Sequence, residues 1–266
     1  MVADAGGPGR SAPGLRAAYD MAALRWAEGP EPVYASLARA LLARTDVGLA
    51  GGRVLDLGAG TGAAGVAALA AGARSVVSVD SALGMLCRCA AGLHPVAADA
   101  TALPFRDGSF DLVLAAFCLG HLDQPAAGLR EARRVGAALA ASSFAAGWSH
   151  PAKAVVDEVL GDFGYRPPPW YIAFKRDTEP WASDSTALGR DMTAAGYTDI
   201  RLRTITVNTG LSRPAELAAW RLGMAHAAPF VSSLTSARRA EVRRAAQAAV
   251  TGTGPLVVDM LVLTAR

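Results

Sequence analysis

The feature that most constrains this chain is an apolar segment that runs directly into a cluster of glycines. Residues 54–65 read V-L-D-L-G-A-G-T-G-A-A-G. Glycine has no Cβ, so the backbone can turn tightly and approach a ligand that a bulkier residue would block. An alanine-rich helical pattern follows the cluster. A strand, a glycine loop and a helix in this order predict a binding site for a nucleotide-like cofactor.

Acidic residues at the ends of successive strands narrow the choice of cofactor. The glycine spacing also fits a dinucleotide-binding fingerprint, but Asp56 argues against a negatively charged pyrophosphate and in favour of a cationic ligand. Asp80 ends the next strand, where a carboxylate can accept hydrogen bonds from both ribose hydroxyls. Asp99 follows the third strand, where we expect an adenine amino group. Acids at three successive strand ends indicate this kind of cofactor site more specifically than any one acid alone.

The rest of the chain alternates short apolar runs with alanine-rich helical stretches, which is typical of a parallel sheet covered on both faces. We predict an α/β fold with a doubly wound, mostly parallel, Rossmann-like sheet. Its seven strands are expected at 53–57, 75–80, 96–98, 110–116, 137–145, 199–207 and 256–264. The proline-rich segment 166–171 is expected to be an aromatic loop that cannot be helical.

The domain organisation is predicted to be simple. Residues 1–14, rich in Gly, Pro and Ala, are expected to form a disordered leader, and residues 15–266 a single domain. That domain divides into a helical cover at 15–50, a cofactor-binding half at 51–145 and a substrate-side half at 146–266. The last part contains a helical insertion at about 211–254, which is expected to serve as a cover or as the surface of a homodimer.

Composition excludes several classes of partner. With 26 basic and 23 acidic residues, the chain has no charge excess that argues for nucleic acid. It has no apolar run near the roughly 20 residues of a membrane helix, no secretory pattern at its start and too few cysteines for a disulfide framework, so we expect a cytoplasmic protein.

Cys87 and Cys89 would point to different sides of a helix, so no metal site is expected. Lys153 and Lys175 are the only lysines, which we attribute to a GC-rich coding habit.

Three motifs carry a resemblance to a known family. They are V-L-D-L-G-A-G-T-G at 54–62, S-V-D-S at 78–81 and A-D-A-T-A-L-P-F-R-D-G-S-F-D-L-V at 98–113. The chain resembles the class I S-adenosylmethionine-dependent methyltransferases, in particular the small-molecule group that includes ubiquinone and menaquinone methyltransferases. The resemblance runs from Tyr19 to Phe144. It departs from the family after Val135, where Gly136 replaces the usual leucine-arginine-proline-glycine-glycine turn.

The resemblance implies S-adenosylmethionine as the cofactor and S-adenosylhomocysteine as its product. It also implies a set of cofactor-binding residues. The methionine part would be bordered by Asp56, Gly58, Gly60, Gly62 and Phe117. The ribose would be held by Asp80, the adenosine would lie near Ser81 and Met85, and the adenine would be received by Asp99 and Ala100. The whole cofactor would be covered by Tyr19.

Methyl transfer from a sulfonium needs alignment and exclusion of water, whereas a general base is optional. The candidate bases are His121 after the fourth strand, His150 beyond the fifth and His226 on a late helix, which is also a candidate for the substrate wall. Each has a plain structural alternative, so the base stays unassigned. If His121 is the base, His121→Ala should lower turnover roughly 100-fold and keep cofactor affinity.

Aromatic residues near the proline-rich segment are candidates for the substrate pocket, with lid packing as the alternative. They are Trp148, Trp170, Tyr171 and Trp181. The expected activity is methyl transfer to a small acceptor, an aromatic or polyketide-like secondary metabolite. A scaffold that binds the cofactor but catalyses a rearrangement or cyclisation is the alternative. An NAD-dependent oxidoreductase is disfavoured by Asp56, and a nucleic-acid methyltransferase by the lack of an Asn/Asp-Pro-Pro-aromatic motif after the fourth strand.

Overall fold

The computed structural model describes residues 13–45 and 49–266. Its strands are β1 Arg53–Leu57, β2 Ser75–Asp80, β3 His94–Ala97, β4 Leu112–Ala116, β5 Leu139–Phe144, β6 Arg201–Asn208 and β7 Val257–Ala265. They form one seven-stranded sheet in the order β3-β2-β1-β4-β5-β7-β6. Strands β1 to β5 are parallel to one another, and β7 is antiparallel to both β5 and β6. The predicted doubly wound, mostly parallel sheet is confirmed.

Helices cover both faces of the sheet. They are α1 Pro13–Glu28, α2 Pro30–Leu42, α3 Ala63–Ala70, α4 Leu83–Leu86, α5 Pro125–Val135, α6 Pro151–Asp162, α7 Pro169–Ala173, α8 Glu179–Ser183, α9 Ser185–Ala194, α10 Pro214–Leu222, α11 Ala228–Ser233 and α12 Ser236–Ala249. The helices α10 to α12 lie between β6 and β7, and α1 and α2 precede the first strand of the sheet. None of these helices is long and apolar enough to cross a membrane.

Two sequence expectations need correction. The expected leader falls mostly on residues 1–12, which lie outside the described residues, but Pro13 and Gly14 already belong to α1. The segment 166–171 is not wholly a loop, because α7 begins at Pro169. Proline is accepted at the first position of a helix, where its missing N–H has no partner to lose.

Successive side chains of the central strands supply two separate cores. Val54 packs into the cluster beneath α2, α3, α6, α10 and α12, whereas Leu55 packs into the cluster beneath α5 and α9. This is the alternation that a strand buried on both faces requires. A third, smaller cluster joins α1 to α4 and to the α11 region, through residues such as Trp26 and Met85. The N-terminal helix is therefore packed firmly over the carboxyl edge of the sheet.

Candidate active site

The glycine loop after β1 has a backbone that other residues rarely adopt. Gly58, Gly60 and Gly62 have φ angles of 67°, 56° and 93°. A Cβ at Gly58 would lie 2.5 Å from the Cys118 sulfur, and one at Gly62 would lie 2.4 Å from a Leu93 methyl carbon. A Cβ at Gly60 would meet no atom within 4 Å in the part of the chain that the structure describes. Gly58 and Gly62 therefore keep the loop packed, whereas Gly60 leaves open space.

That space belongs to a cavity at the carboxyl ends of β1, β2 and β4, which we call the glycine-loop cavity. It encloses about 1040 Å³, including the space open to solvent. Most of the residues expected to bind the cofactor line it: Tyr19, Asp56, Gly58, Gly60, Asp80, Ser81, Met85, Ala100 and Phe117. The carboxyl edge is where open α/β sheets bind their ligands.

Two expected cofactor residues do not line this cavity. Gly62 is the N-cap residue of α3. The carboxylate of Asp99 accepts hydrogen bonds from the backbone N–H and the hydroxyl of Thr101, at 2.8 and 2.7 Å. Ala98 and Ala100, on either side of Asp99, line the cavity in its place. Sequence spacing located the correct strand end but could not show which side chain turns inward.

Two carboxylates, the buried Asp56 and the half-buried Asp80, give the glycine-loop cavity its electrostatic character. Asp56 is 1% exposed and accepts a hydrogen bond from the Gly65 backbone N–H at 2.8 Å. Asp80 accepts from the backbone N–H groups of Gly60 and Ala82, both at 2.8 Å. Burial raises the pKa of Asp56 to about 7 and also raises the pKa of Asp80. A cationic ligand would stabilise the ionised form of both groups.

Phe117 holds a strained backbone at the end of β4. Its φ is 56°, a value that bulky residues rarely adopt. Its backbone N–H donates to the Ser142 carbonyl at 2.9 Å, and its ring contacts the rings of Tyr34 and Phe144, with centroids 5.3 and 4.7 Å away. These contacts hold the aromatic ring at the cavity surface, and strain of this kind is concentrated at functional sites.

A second cavity adjoins the first, and we call it the aromatic chamber. It encloses about 530 Å³ and shares Tyr19, Tyr34 and His121 with the glycine-loop cavity. Six further aromatic side chains line it: Phe144, Trp148, Trp170, Tyr171, Phe174 and Trp220. Of the four aromatic residues singled out in the sequence, only Trp181 is absent from this wall. Its indole N–H donates to Asp191 at 2.8 Å, and its ring packs in the core beneath α9.

His121 lies in the wall between the two cavities. Its Nε2 is 3.2 Å from the Tyr19 hydroxyl, and its ring stacks on Phe174 with centroids 4.5 Å apart. Its Nδ1 is buried and has no partner among the residues that the structure describes. Burial lowers the pKa of His121 to about 4. The imidazole is therefore neutral near pH 7 and a weak proton acceptor.

The other two candidate histidines have different surroundings. His226 lines the aromatic chamber, stacks on Tyr171 with centroids 4.1 Å apart and bonds to the Tyr165 hydroxyl through Nδ1 at 2.8 Å. Burial lowers the pKa of His226 to about 2, which favours a wall role over a proton-accepting one.

His150, in contrast, caps a helix. Its Nδ1 accepts from the Ala152 N–H of α6 and its Nε2 bonds to the Pro255 carbonyl, both at 3.2 Å. It lines neither of the two cavities. Both ring nitrogens are therefore occupied by backbone, so the geometry gives His150 a structural position rather than a catalytic one.

Charged residues of the aromatic chamber were missed by the sequence analysis. Lys153, Glu179 and Arg221 all line it. Glu179 forms an ion pair with Lys175, so both lysines of the chain lie at or beside this chamber. Both lysines follow the fifth strand in the sequence, but no local pattern there places them beside one cavity.

Comparison with known proteins identifies the family. A family model described as a methyltransferase domain matches residues 55–138. The demethylmenaquinone methyltransferase of Mycolicibacterium gilvum is 35% identical over 169 residues, which cover 58% of this chain and 72% of that protein. The chain belongs to the class I S-adenosylmethionine-dependent methyltransferases. This confirms the resemblance carried by the three sequence motifs.

Solved structures of low sequence identity share the fold of this methyltransferase. A putative methyltransferase from an antibiotic biosynthesis pathway of Anabaena variabilis aligns with a TM-score of 0.59 and 14% identity, covering 86% of this chain and 96% of that one. The 4+2 cyclase SpnF aligns with a TM-score of 0.52 and 20% identity, covering 87% and 80%. A methyltransferase and a cyclase can thus be built on the same fold, so the reaction has to be argued from the site.

Proposed function

We propose that this methyltransferase holds S-adenosylmethionine in the glycine-loop cavity and methylates a small aromatic or polyketide-like molecule in the aromatic chamber. The observation that carries the proposal is the shared wall. Tyr19, Tyr34 and His121 border both cavities, so a cofactor on one side and an acceptor on the other would be neighbours. Proximity of this kind is the main requirement of an in-line methyl transfer.

The glycine-loop cavity fits the cofactor on three counts. The backbone at Gly60 faces open space, which a larger residue would fill. Both carboxylate oxygens of Asp80 accept backbone hydrogen bonds and can still accept from a ligand, which suits the two hydroxyls of a ribose. The buried Asp56 adds negative charge near a cationic ligand. S-adenosylmethionine, when bound, supplies a methyl group already activated by its sulfonium.

The remaining work of the protein is alignment and exclusion of water. Helix α1 covers the glycine-loop cavity and is tied to α4 by a 2.7 Å hydrogen bond from the Gly84 N–H to Asp20. The aromatic side chains form flat surfaces against which a planar acceptor can be oriented. Well-oriented reactants gain up to roughly 7–11 kcal/mol from such positioning.

A weak base suits an acceptor that ionises without help. The pKa of His121 is lowered to about 4 by burial, so its imidazole does not match an alcohol or an unactivated carbon acid. A phenol or an enol loses its proton far more readily. The M. gilvum relative is named for methylating a quinone compound, and the reduced, hydroquinone form of a quinone carries phenolic hydroxyls.

Product analysis tests the proposal. The purified protein is incubated with S-adenosylmethionine and a panel of phenols, hydroquinones and polyketide-like enols, and S-adenosylhomocysteine is quantified by mass spectrometry against a reaction without acceptor. We expect acceptor-dependent S-adenosylhomocysteine and a product heavier by one methyl group. Acceptor turnover without S-adenosylhomocysteine would contradict methylation and support the scaffold alternative.

A further inference from the structure

The aromatic chamber contains a cation that forms no ion pair with the residues that the structure describes. Arg221 is paired with Asp157 through two contacts of 2.9 and 2.6 Å, and Lys175 is paired with Glu179. Lys153 has neither an ion pair nor a hydrogen bond from its ammonium to any described residue. Its charge is therefore available to a ligand.

The position of Lys153 directs this charge toward a flat molecule. The residue lies on α6, is half-buried and lines the aromatic chamber. Its Nζ is 4.9 Å from the centroid of the Trp148 ring and 6.0 Å from that of Phe144. These rings stack on each other with centroids 4.6 Å apart, so the ammonium is held beside an aromatic surface. A planar acceptor on the same wall would bring its substituents within reach of Nζ.

A second unsatisfied group lies in the same chamber. His226 is 4% exposed, and its Nε2 is buried without a hydrogen-bond partner among residues 13–45 and 49–266. The imidazole is held by the Tyr165 hydroxyl, which bonds to Nδ1, and by the Tyr171 ring, which stacks on its face. A buried polar atom without a partner is costly, so such an atom at a cavity wall is best explained by a ligand group that bonds to it.

Both groups suit a negatively charged oxygen. Burial, assisted by the charges of Arg221 and Lys175, lowers the pKa of Lys153 to about 8, so an anion beside Nζ would stabilise the ammonium form. The pKa of His226 is lowered to about 2, so the imidazole is neutral. With the Tyr165 hydroxyl donating to Nδ1 at 2.8 Å rather than to the His226 carbonyl at 3.2 Å, the ring proton lies on Nε2, which can donate it to the anionic oxygen. Trp148 and Tyr171 provide the apolar surface around the two polar groups.

We propose that Lys153 and His226 together bind an anionic oxygen on the planar acceptor, and that Lys153 determines specificity for acceptors that carry one. This inference rests on the proposed function only in taking the aromatic chamber as the acceptor side. The shared chemistry is an oxyanion on a conjugated ring, whether a phenolate or a carboxylate. Charge-assisted hydrogen bonds of this type are stronger than neutral ones.

The test compares charged and neutral probes of the same shape. Calorimetry measures the binding of 2-naphthoate and of its neutral isostere 2-naphthamide, with and without S-adenosylhomocysteine. Lys153→Met should weaken the binding of 2-naphthoate at least tenfold and that of 2-naphthamide less than threefold. Lys153→Arg should retain most of the affinity for 2-naphthoate. Arg238→Met is the control, because it removes a cation that lies 4.6 Å from the Phe163 ring and outside both cavities.

A separate experiment tests whether the bound oxyanion can be a phenolate. The absorbance of 4-nitrophenol reports its ionisation, and the bound phenol should ionise at lower pH in the wild type than in Lys153→Met. The inference would be overturned if Lys153→Met lost equal affinity for naphthoate and naphthamide, or lost affinity for neither. It would also be overturned if the anionic probes did not bind to the wild type. If S-adenosylhomocysteine binds normally in these experiments, only the oxyanion inference fails. If it does not bind to the wild type, the proposed function fails instead.

Discussion

Tyr19 Oη and His121 Nε2 lie 3.2 Å apart and join α1 to the end of β4, although 102 residues separate them in the chain. The Tyr19 ring also contacts Trp26 and Trp170, with centroids 5.6 and 6.5 Å away. The tyrosine is therefore both a hydrogen-bonding partner of His121 and part of the aromatic wall between the two cavities. Its hydroxyl and its ring can be tested separately.

The ring of Tyr19 should matter more for cofactor binding than its hydroxyl. Tyr19→Phe keeps the ring contacts, so we expect the Kd for S-adenosylhomocysteine to change less than threefold. Tyr19→Ala removes the wall and exposes the cavity, so we expect at least a tenfold loss of affinity. Calorimetry on both variants decides the point, and equal losses would assign the effect to the hydroxyl.

Cofactor affinity should depend on the ionisation of Asp56. Because the pKa of this carboxyl is about 7 in the protein, it is mostly protonated at pH 6 and mostly ionised at pH 8. A cation binds the ionised form better, so affinity for S-adenosylmethionine should rise several-fold from pH 6 to pH 8. S-adenosylhomocysteine lacks the sulfonium and should respond less. Titrations of both ligands across this range test the prediction, and Asp56→Asn should flatten the difference.

The stability of Asp56→Asn provides the control. A carboxyl whose pKa is higher in the folded than in the unfolded protein binds more protons when folded, so its contribution to stability falls as pH rises from about 4 to 7. The neutral amide can still accept the Gly65 hydrogen bond. We therefore expect Asp56→Asn to unfold at or above the wild-type temperature at pH 8. A large drop would show that any lost binding reflects lost structure.

His121 should contribute through position rather than proton transfer. His121→Gln can retain a hydrogen bond to Tyr19 but cannot act as an imidazole base. With the histidine pKa lowered to about 4, we expect kcat to fall less than tenfold and cofactor Kd to stay unchanged. Steady-state kinetics with any acceptor found in the product assay measures both. A loss of roughly 100-fold in kcat alone would support the base role instead.

Two glycines of the loop should respond differently to the same substitution. Gly60→Ala forces alanine into a left-handed backbone conformation, which costs roughly 1–2 kcal/mol. Its methyl group would meet no atom of the described residues within 4 Å. Gly58→Ala has a similar backbone penalty and also collides with Cys118. Thermal unfolding should therefore show the larger loss for Gly58→Ala. Gly60→Ala should keep the fold and lose cofactor affinity, and retained affinity would place the ligand elsewhere.

The sequence predicted the fold well because strand alternation and glycine clusters are local signals. The order of elements, the position of the loop after β1 and most of the cavity-lining residues followed from them. Tertiary contacts could not be predicted from the sequence. The inward turn of Ala98 and Ala100 instead of Asp99 depends on a local turn around Thr101. The second ring nitrogen of His150 bonds to a carbonyl 105 residues away, which no local pattern predicts.

The composition of the aromatic chamber was predicted only in part. Trp148, Trp170 and Tyr171 were found because aromatic residues are conspicuous near a proline-rich segment, and Trp181 was included for the same reason although it packs elsewhere. Lys153 and Arg221 were missed because a single charged residue on a helix has no periodic signature. Their convergence depends on how α6 and α10 pack, which no local pattern records.

The central claim is that the glycine-loop cavity binds the cofactor, and calorimetry with S-adenosylhomocysteine tests it most directly. Asp80→Asn removes the carboxylate that faces the cavity, whereas the control Asp111→Asn removes one that binds the Arg53 N–H at the opposite edge of the sheet. We predict one binding site in the wild type, at least a tenfold weaker Kd in Asp80→Asn and an unchanged Kd in Asp111→Asn. No binding to the wild type, or equal binding to all three proteins, would contradict the account.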